Sequence, residues 1–176
     1  MIIRDATLDD TLQIAQVHVS SWQTTYKGLM PDEAIAARPV TVREKQVKHV
    51  LSNPENDTMM LVAEVDSKVV GFASGGKPQY PNVVCDSELY AIYLVEEAQG
   101  QGIGKALVRA FAKKLQAAGF KSMMLWVLAK NTSSRGFYET LGGVRGGEGS
   151  YQVTKEITLK TVSYIWDDVQ TLLIER

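Results

Sequence analysis

One cysteine, two histidines and almost no net charge leave several kinds of protein out of consideration. Cys85 is the lone cysteine among 176 residues, so an internal disulfide framework is excluded and a reducing, cytoplasmic compartment is expected. His18 and His49 stand far apart without cysteine partners, so no metal centre is expected. Nineteen basic and twenty acidic side chains give a net charge of −1. A nucleic-acid partner would want a basic excess, and none is expected. No apolar run approaches the ~20 residues of a membrane span, so no membrane partner is expected either. Arg4, Asp5, Asp9 and Asp10 stand where a signal peptide would be apolar. Repeats, low-complexity runs and an evident linker are all missing.

What is present reads as one ordinary globular domain over residues 1–176, at 45% hydrophobic and 22% charged. Met1 to Arg4 is a short strand. Thr7-Leu8-Asp9-Asp10 resembles a capping box with Asp in the Glu place, so a helix is expected to begin there. Ile14, His18, Trp22 and Tyr26 recur every four residues as one helical stripe, ended by Gly28 and Pro31. Asp32 to Ala37 and Thr41 to Leu51 are two short helices split by Pro39, the second with Val42, Val47 or Gln46, Val50 and Leu51 on one side. Asn53 to Asp57 is a turn. Thr58 to Val65 and Lys68 to Gly75 form a hairpin around Asp66-Ser67. Residues 76–86 are a loop.

Glu88 to Val95 is a strand, Gly102 to Ala118 an amphipathic helix, Lys121 to Leu128 a strand buried on both faces, and Asn131 to Leu141 a short helix. Gly146 to Ser150 reads as a glycine-rich turn, and Ile157 to Trp166 as the last strand. The fold class is therefore α/β, with a mixed sheet. Residues 88–95 and 121–128 are parallel neighbours joined by a right-handed crossover through a helix.

Gln99-Gly100-Gln101-Gly102-Ile103-Gly104-Lys105 is the most informative stretch. Strand, glycine-rich turn and helix together suit a phosphate. Glycine lets the backbone approach an anion, and the first helical turn offers free N–H groups at the positive end of the dipole. The glycines at 100, 102 and 104 miss the dinucleotide spacing, because Lys105 stands where its third glycine belongs. They also miss the P-loop, with three residues between Gly100 and Gly104 and Ala106 after the Lys. A solvated turn, glycine-rich for geometry alone, stays open on these residues.

Gln99, Gly102 and Gly104 do fit Gln/Arg-x-x-Gly-x-Gly/Ala. Asn131, Phe137, Tyr138, Leu141 and Gly142 fit Asn-x-x-Ala-x-x-Phe-Tyr-x-x-x-Gly, with Ser134 in the Ala place and Gly143 where a Phe is frequent. Independently of any pattern, Asn131 suits an N-cap, and Tyr138 lies two helical turns on along the same face. Together the two segments resemble the paired signatures of the GNAT-type N-acetyltransferases. Ser21 to Pro31 resembles the first-helix region of one subgroup, and Val162 to Asp167 the last strand of similar proteins.

That resemblance implies a GNAT-like fold, with a six- to seven-stranded, mostly antiparallel sheet whose parallel pair splays apart. It implies acetyl-CoA as the acetyl donor and no metal, with direct transfer to a primary amine in a ternary complex. N–H groups of Gly100, Gln101, Gly102, Ile103, Gly104 and Lys105 would hold the pyrophosphate, flanked by Gln99. The backbone of Ile92, Tyr93 and Leu94 would pair with the pantetheine arm, with the Leu94 N–H as oxyanion donor. Asn131 would touch the cofactor, and Tyr138 would protonate the departing thiolate.

Several residues keep two readings. Glu88 shares a strand face with Tyr90, Ile92 and Leu94, and is a general base working through water, a partner for a cationic acceptor or a solvated strand end. Tyr138 is an acid or a core aromatic, although Phe137 suits the core better. Trp22 and Tyr26 line the acceptor pocket or belong to the core. His18 reads as packed, Glu96 and Glu97 as solvated, and Cys85 as no nucleophile. The acceptor is a small-molecule amine or a peptide N-terminus. A homodimer is open, through a last strand at the sheet edge. The alternative function is a catalytically inactive CoA-binding regulatory or interaction module of the same fold.

Overall fold

The computed structural model describes residues 1–36, 39–53, 55–80 and 84–174. The expected end of a helix at Ala37, and parts of the turn 53–57 and of the loop 76–86, lie outside the described residues. Seven strands, β1 (Ile2–Asp5), β2 (Met59–Val65), β3 (Lys68–Gly76), β4 (Glu88–Leu94), β5 (Met123–Leu128), β6 (Val144–Gln152) and β7 (Thr158–Trp166), form a sheet ordered β1-β2-β3-β4-β5-β7-β6. The β4–β5 pair is parallel, while β1–β2, β2–β3, β5–β7 and β6–β7 are antiparallel. The helices are α1 (Thr11–Tyr26), α2 (Asp32–Ala36), α3 (Val40–Ser52), α4 (Ile103–Ala117) and α5 (Thr132–Thr140). The chain divides into two units, Met1–Gly75 with Ala91–Phe111 and Gly76–Tyr90 with Ala112–Arg176.

In the first unit, the helical stripe of α1 meets strands whose alternate residues point the same way. Ile14 and Val17 of α1, Val47 of α3, Met60 and Val62 of β2 and Val69 and Phe72 of β3 share one buried cluster. Val50, Leu51, Ala91 and Tyr93 pack against it. Val42 does not join them; it is exposed. The β2–β3 hairpin turns at Asp66 and Ser67, both with positive φ (49° and 61°), as a two-residue turn matched to strand twist requires. Ile103, Leu107 and Phe111 of α4 are buried, as their four-residue spacing foretells.

In the second unit, β5 is apolar because both of its faces are covered, and Met123, Met124, Leu125, Val127 and Leu128 are all buried. Tyr164 and Trp166, two apart on β7 and so on one face, receive α5: the Tyr138 ring lies 5.9 Å from that of Tyr164 and 6.4 Å from that of Trp166. A short 3-10 turn, Val169–Leu172, follows β7 and buries both of those residues.

Two expectations are corrected here. Residues 146–150 are not a turn; they lie inside β6, which carries a register shift between Arg145 and Glu148. Close approach explains the glycine: a Cβ at Gly146 would sit 2.5 Å from Ser163 Oγ and 2.7 Å from Ile165 Cδ1. Glycine inside a strand commonly marks a bulge or such a close approach. The last strand is also not at an edge. β7 runs between β5 and β6, and β6 is outermost.

The helical start is held electrostatically. Leu8–Asp10 is a 3-10 turn ahead of α1. Asp10 Oδ2 accepts from the Thr7 amide at 2.8 Å and the Thr7 hydroxyl at 2.9 Å, which realises the capping role of the Asp. The Arg4 guanidinium forks onto both Asp10 oxygens at 2.7 and 2.8 Å, and reaches Glu64 on β2 at 2.7 Å. Arg4 first, then Thr7, lowers the Asp10 carboxyl from 3.8 to about 2, against the opposing cost of burial.

A depressed carboxyl adds stability above its unfolded pKa, and that stability is lost as pH falls through the folded value. Asp10→Asn is therefore expected to cost about 2 kcal/mol near neutral pH. Thermal melts should show the wild-type advantage shrinking to nothing between pH 3.8 and about 2, while the variant stays nearly flat across that window.

Candidate active site

The glycine-rich turn delivers what its sequence offers. The first bond inside α4 runs from Ala106 N to Gly102 O at 3.0 Å, so the amides of Ile103, Gly104 and Lys105 have no acceptor within the helix. Buried Ile103 points into the core and fixes the helix there, while Gln99, Gly100, Gln101 and Gly102 are exposed. Gly102 has φ +79° and nothing within 4 Å of an added Cβ. Backbone conformation, not crowding, therefore demands glycine. Gln101 Nε2 donates to Glu97 O at 2.6 Å, and Gln99 Nε2 lies 3.4 Å from Leu94 O. Glu96 and Glu97 are exposed, as expected.

Leu94 closes β4 just before this turn. Its carbonyl accepts from Ser21 Oγ at 2.7 Å, a contact the sequence did not reveal because 73 residues separate the partners. Ile92, Tyr93 and Leu94 are half-buried. The parallel ladder registers at one pair, Glu88 opposite Met124.

In the same unit, Trp22 and Tyr26 join an aromatic cluster. Their rings lie 4.3 Å apart, and the Trp22 ring lies 6.5 Å from that of Tyr93. The Tyr26 and Tyr93 hydroxyls meet at 3.2 Å. Trp22 is buried and Tyr26 half-buried. His18 is indeed packed, 4.6 Å from the Tyr93 ring. The Arg43 fork faces both of its ring nitrogens at 2.8 Å. Whichever nitrogen accepts uses its lone pair, so the ring is committed to Arg43.

In the second unit, Glu88 is not a solvated strand end; it is 4% exposed. Its Oε2 accepts from the Gln79 amide at 2.8 Å. Burial pushes its carboxyl up and the single amide only partly opposes this. Nearby, the Tyr90 hydroxyl donates to Lys77 O. The segment 77–79 thus braces the start of β4, which no motif signals. Cys85 is buried and its thiol is pushed up by desolvation, consistent with no nucleophilic role.

Asn131 is the N-cap of α5, its Oδ1 accepting from Ser134 N at 3.1 Å. Tyr138, two turns on, is 8% exposed, whereas Phe137 is only half-buried. The expectation that Phe137 is the core residue of the pair is therefore reversed, because α5 turns Tyr138 toward Tyr164 and Trp166. Glu88 and Tyr138 have different anchors: Glu88 the 77–79 segment, Tyr138 the face of β7. Among the described residues no group of three or more His, Cys, Asp and Glu side chains is placed to hold a metal ion, and no helix is long and apolar enough to cross a membrane.

The model of the Acetyltransferase (GNAT) family matches residues 18–143. An uncharacterised N-acetyltransferase of Bacillus subtilis, YuaI, is 34% identical over 170 residues, covering 97% of this chain and 95% of that protein. The spermidine N(1)-acetyltransferase of Thermoplasma acidophilum is 27% identical over 139 residues, 77% of this chain and 83% of that one. The crystal structure of the PaiA N-acetyltransferase from Thermoplasma acidophilum, in complex with coenzyme A, superposes with a TM-score of 0.70 at 22% identity. It covers 92% of this chain and 96% of that one.

A raised carboxyl destabilises the fold as pH climbs from its unfolded pKa through its folded one, because the native state holds the proton longer. Glu88→Gln, which keeps an acceptor for the Gln79 amide, is therefore expected to melt higher than wild type at neutral pH. The gap should close as pH drops through 4.5. A variant that melts lower at every pH would contradict the desolvation account.

Proposed function

The chain belongs to the GNAT acetyltransferase family and is an acetyl-CoA-dependent N-acetyltransferase acting on an amine acceptor, and from that premise we propose a small primary amine or a peptide N-terminus as the acceptor, acetylated by direct attack. The observation that carries the reading is the start of α4, where the amides of Ile103, Gly104 and Lys105 have no acceptor within the helix; a buried Glu88 whose carboxyl is pushed up by desolvation supports it.

The donor is held by its charge. Amides of Gly100 to Lys105, with Gln99 and Lys105 beside them, bind the pyrophosphate, supported by the positive φ of Gly100 and Gly102 and the helix dipole. Backbone of Ile92, Tyr93 and Leu94 pairs with the pantetheine arm, and Asn131 meets the cofactor near its own helix cap. The Leu94 N–H receives the oxyanion, a role commonly worth a few kcal/mol of barrier.

The acceptor arrives protonated, since a primary amine titrates near ~10.4. Trp22 and Tyr26 offer it aromatic faces, which attract a cation. Glu88 takes a proton through water, and its raised carboxyl makes it a stronger base than a solvated one. Nitrogen attacks the thioester carbon, the C–N bond forms, and the C–S bond breaks. Glu88 hands the first proton on to solvent, Tyr138 gives its own to the departing thiolate, and the nitrogen's second proton restores the phenol through water, so the amide keeps one N–H. The products are an amide and the CoA thiol. The inactive CoA-binding alternative gives no reason to bury a carboxylate at a cost. A cytoplasmic setting is supported by the single, buried Cys85, and a homodimer formed by strand pairing would use an edge strand, β1 or β6, rather than β7.

Two measurements check this. Gly102→Val puts a β-branched residue at φ +79°, strained by about 1–2 kcal/mol, and should abolish calorimetric CoA binding in a protein that still melts cooperatively. Unchanged affinity would remove the phosphate assignment. Thiol release from acetyl-CoA should appear with at least one of spermidine, an amino-acid amide and a short peptide. With that amine, Glu88→Gln should lower kcat most at low pH and recover as free amine accumulates. A pure rise in acceptor KM at every pH would instead make Glu88 a charge partner.

A further inference from the structure

Tyr164 is fully buried, yet its phenol oxygen is a junction. The hydroxyl donates to Glu139 Oε1 and accepts from Arg135 Nε at 3.2 Å. Arg135 NH1 in turn donates to Ala129 O at 3.0 Å, in the turn that leads from β5 into α5. Arg135 and Glu139 are four residues apart on α5, hence on one face of it. Tyr138 lies between them in sequence, its ring 5.9 Å from that of Tyr164. One turn further, Trp166 Nε1 donates to Leu141 O at 3.0 Å. A short helix of nine residues has two ways to adjust against a strand: it can slide along its axis or roll about it. The Trp166 bond fixes the first at its C-terminal end. The Tyr164 junction, gripping two side chains across one turn, fixes the second.

Packing alone would not need this arrangement. A phenylalanine at 164 would fill the same volume, and a buried hydroxyl costs free energy unless bonded. Neither motif of the family's paired signatures includes Arg135, Glu139 or Tyr164 as matched above, and the acid role of Tyr138 does not by itself call for them. We propose that Tyr164, through Arg135 and Glu139, is a positioning residue that sets the roll of α5 and so aims the Tyr138 hydroxyl at the departing sulfur. This rests on the reading of Tyr138 as the acid.

The consequence is kinetic. A misaimed acid loses rate, not donor affinity, and a displacement of about 1 Å can cost about a hundredfold. The loss should share the pH signature of losing the acid itself, shrinking at high pH where thiolate leaves unaided. It should also be silent once Tyr138 can no longer donate.

A double-mutant cycle tests this on the full chain. Thiol release from saturating acetyl-CoA is followed with spermidine and with water alone as acceptor, since the leaving thiolate is the same in both. Tyr138→Phe alone tests the acid reading: full turnover there overturns that reading and this proposal with it. Given a slowed Tyr138→Phe, Tyr164→Phe is expected to lower kcat about ten- to a hundredfold, with calorimetric CoA affinity and acceptor KM unchanged and recovery at alkaline pH. In the Tyr138→Phe background it should have no further effect. Glu139→Gln, which leaves the phenol in place, should give a smaller loss with the same pH signature. Full turnover of Tyr164→Phe, an equal additional loss in the Tyr138→Phe background, or parallel losses of rate and CoA affinity in both Tyr164→Phe and Glu139→Gln would each overturn the proposal while leaving the acid reading standing.

Discussion

A helix cannot satisfy its own first amides, and where those amides point is decided by whatever holds the helix. In α4 the holding is apolar. Ile103, the first helical residue, is buried, as are Leu107 and Phe111 on the same stripe. Leu107 reaches Gly71 on β3, where an added Cβ would lie 3.3 Å from its Cδ1 and 2.9 Å from Leu94 Cγ. Helix, β3 and the end of β4 thus meet where there is no room for a side chain. The unpaired amides follow from this packing. They stand beside the exposed turn because the buried stripe holds the start of the helix there.

Two buried carboxylates show how local donors decide charge. Asp10 and Glu88 are each 4% exposed. Asp10 has a guanidinium fork, an amide and a hydroxyl, and these outweigh desolvation, so its carboxyl falls. Glu88 has one amide, desolvation wins, and its carboxyl rises. The first carboxylate stabilises the fold by staying ionised, joining β1, β2 and the start of α1 through Arg4. The second weakens the fold by being where it is. A residue retained at a cost to stability is what a proton-transfer site requires. The same chemistry, a carboxylate beside a backbone N–H, is lowered in one place and raised in the other by what surrounds it.

Much of this was legible in order along the chain. The stripe Ile14, His18, Trp22 announced α1 and its buried face, Asp66-Ser67 announced the hairpin, and the two signatures located the glycine-rich turn before α4 and the helix α5. Periodicity and turn chemistry are local, so a linear reading recovers them. What it missed is where the partner is distant or is backbone. Ser21 bonds Leu94 across 73 residues, and Glu88 is held by the main chain of Gln79, which no residue type encodes. The glycines of 146–149 were misread because a glycine admits both a turn and a close approach, and Ser163 and Ile165 beside Gly146, with Trp126 and Thr161 beside Gly149, tell the two apart. Phe137 and Tyr138 were ranked by hydrophobicity, but the roll of α5 buried the tyrosine.

The sequence by itself determined the element order apart from β6, the family and the acetyl donor, because glycine spacing and helical period are properties of neighbours in the chain. The tertiary structure alone decided that β7 runs inside the sheet and β6 at its edge, that Glu88 is desolvated and that Tyr138 rests on Tyr164. Burial and hydrogen-bond partnership depend on what arrives from elsewhere in the fold, and a carboxylate or phenol carries no mark in sequence of the medium it will occupy.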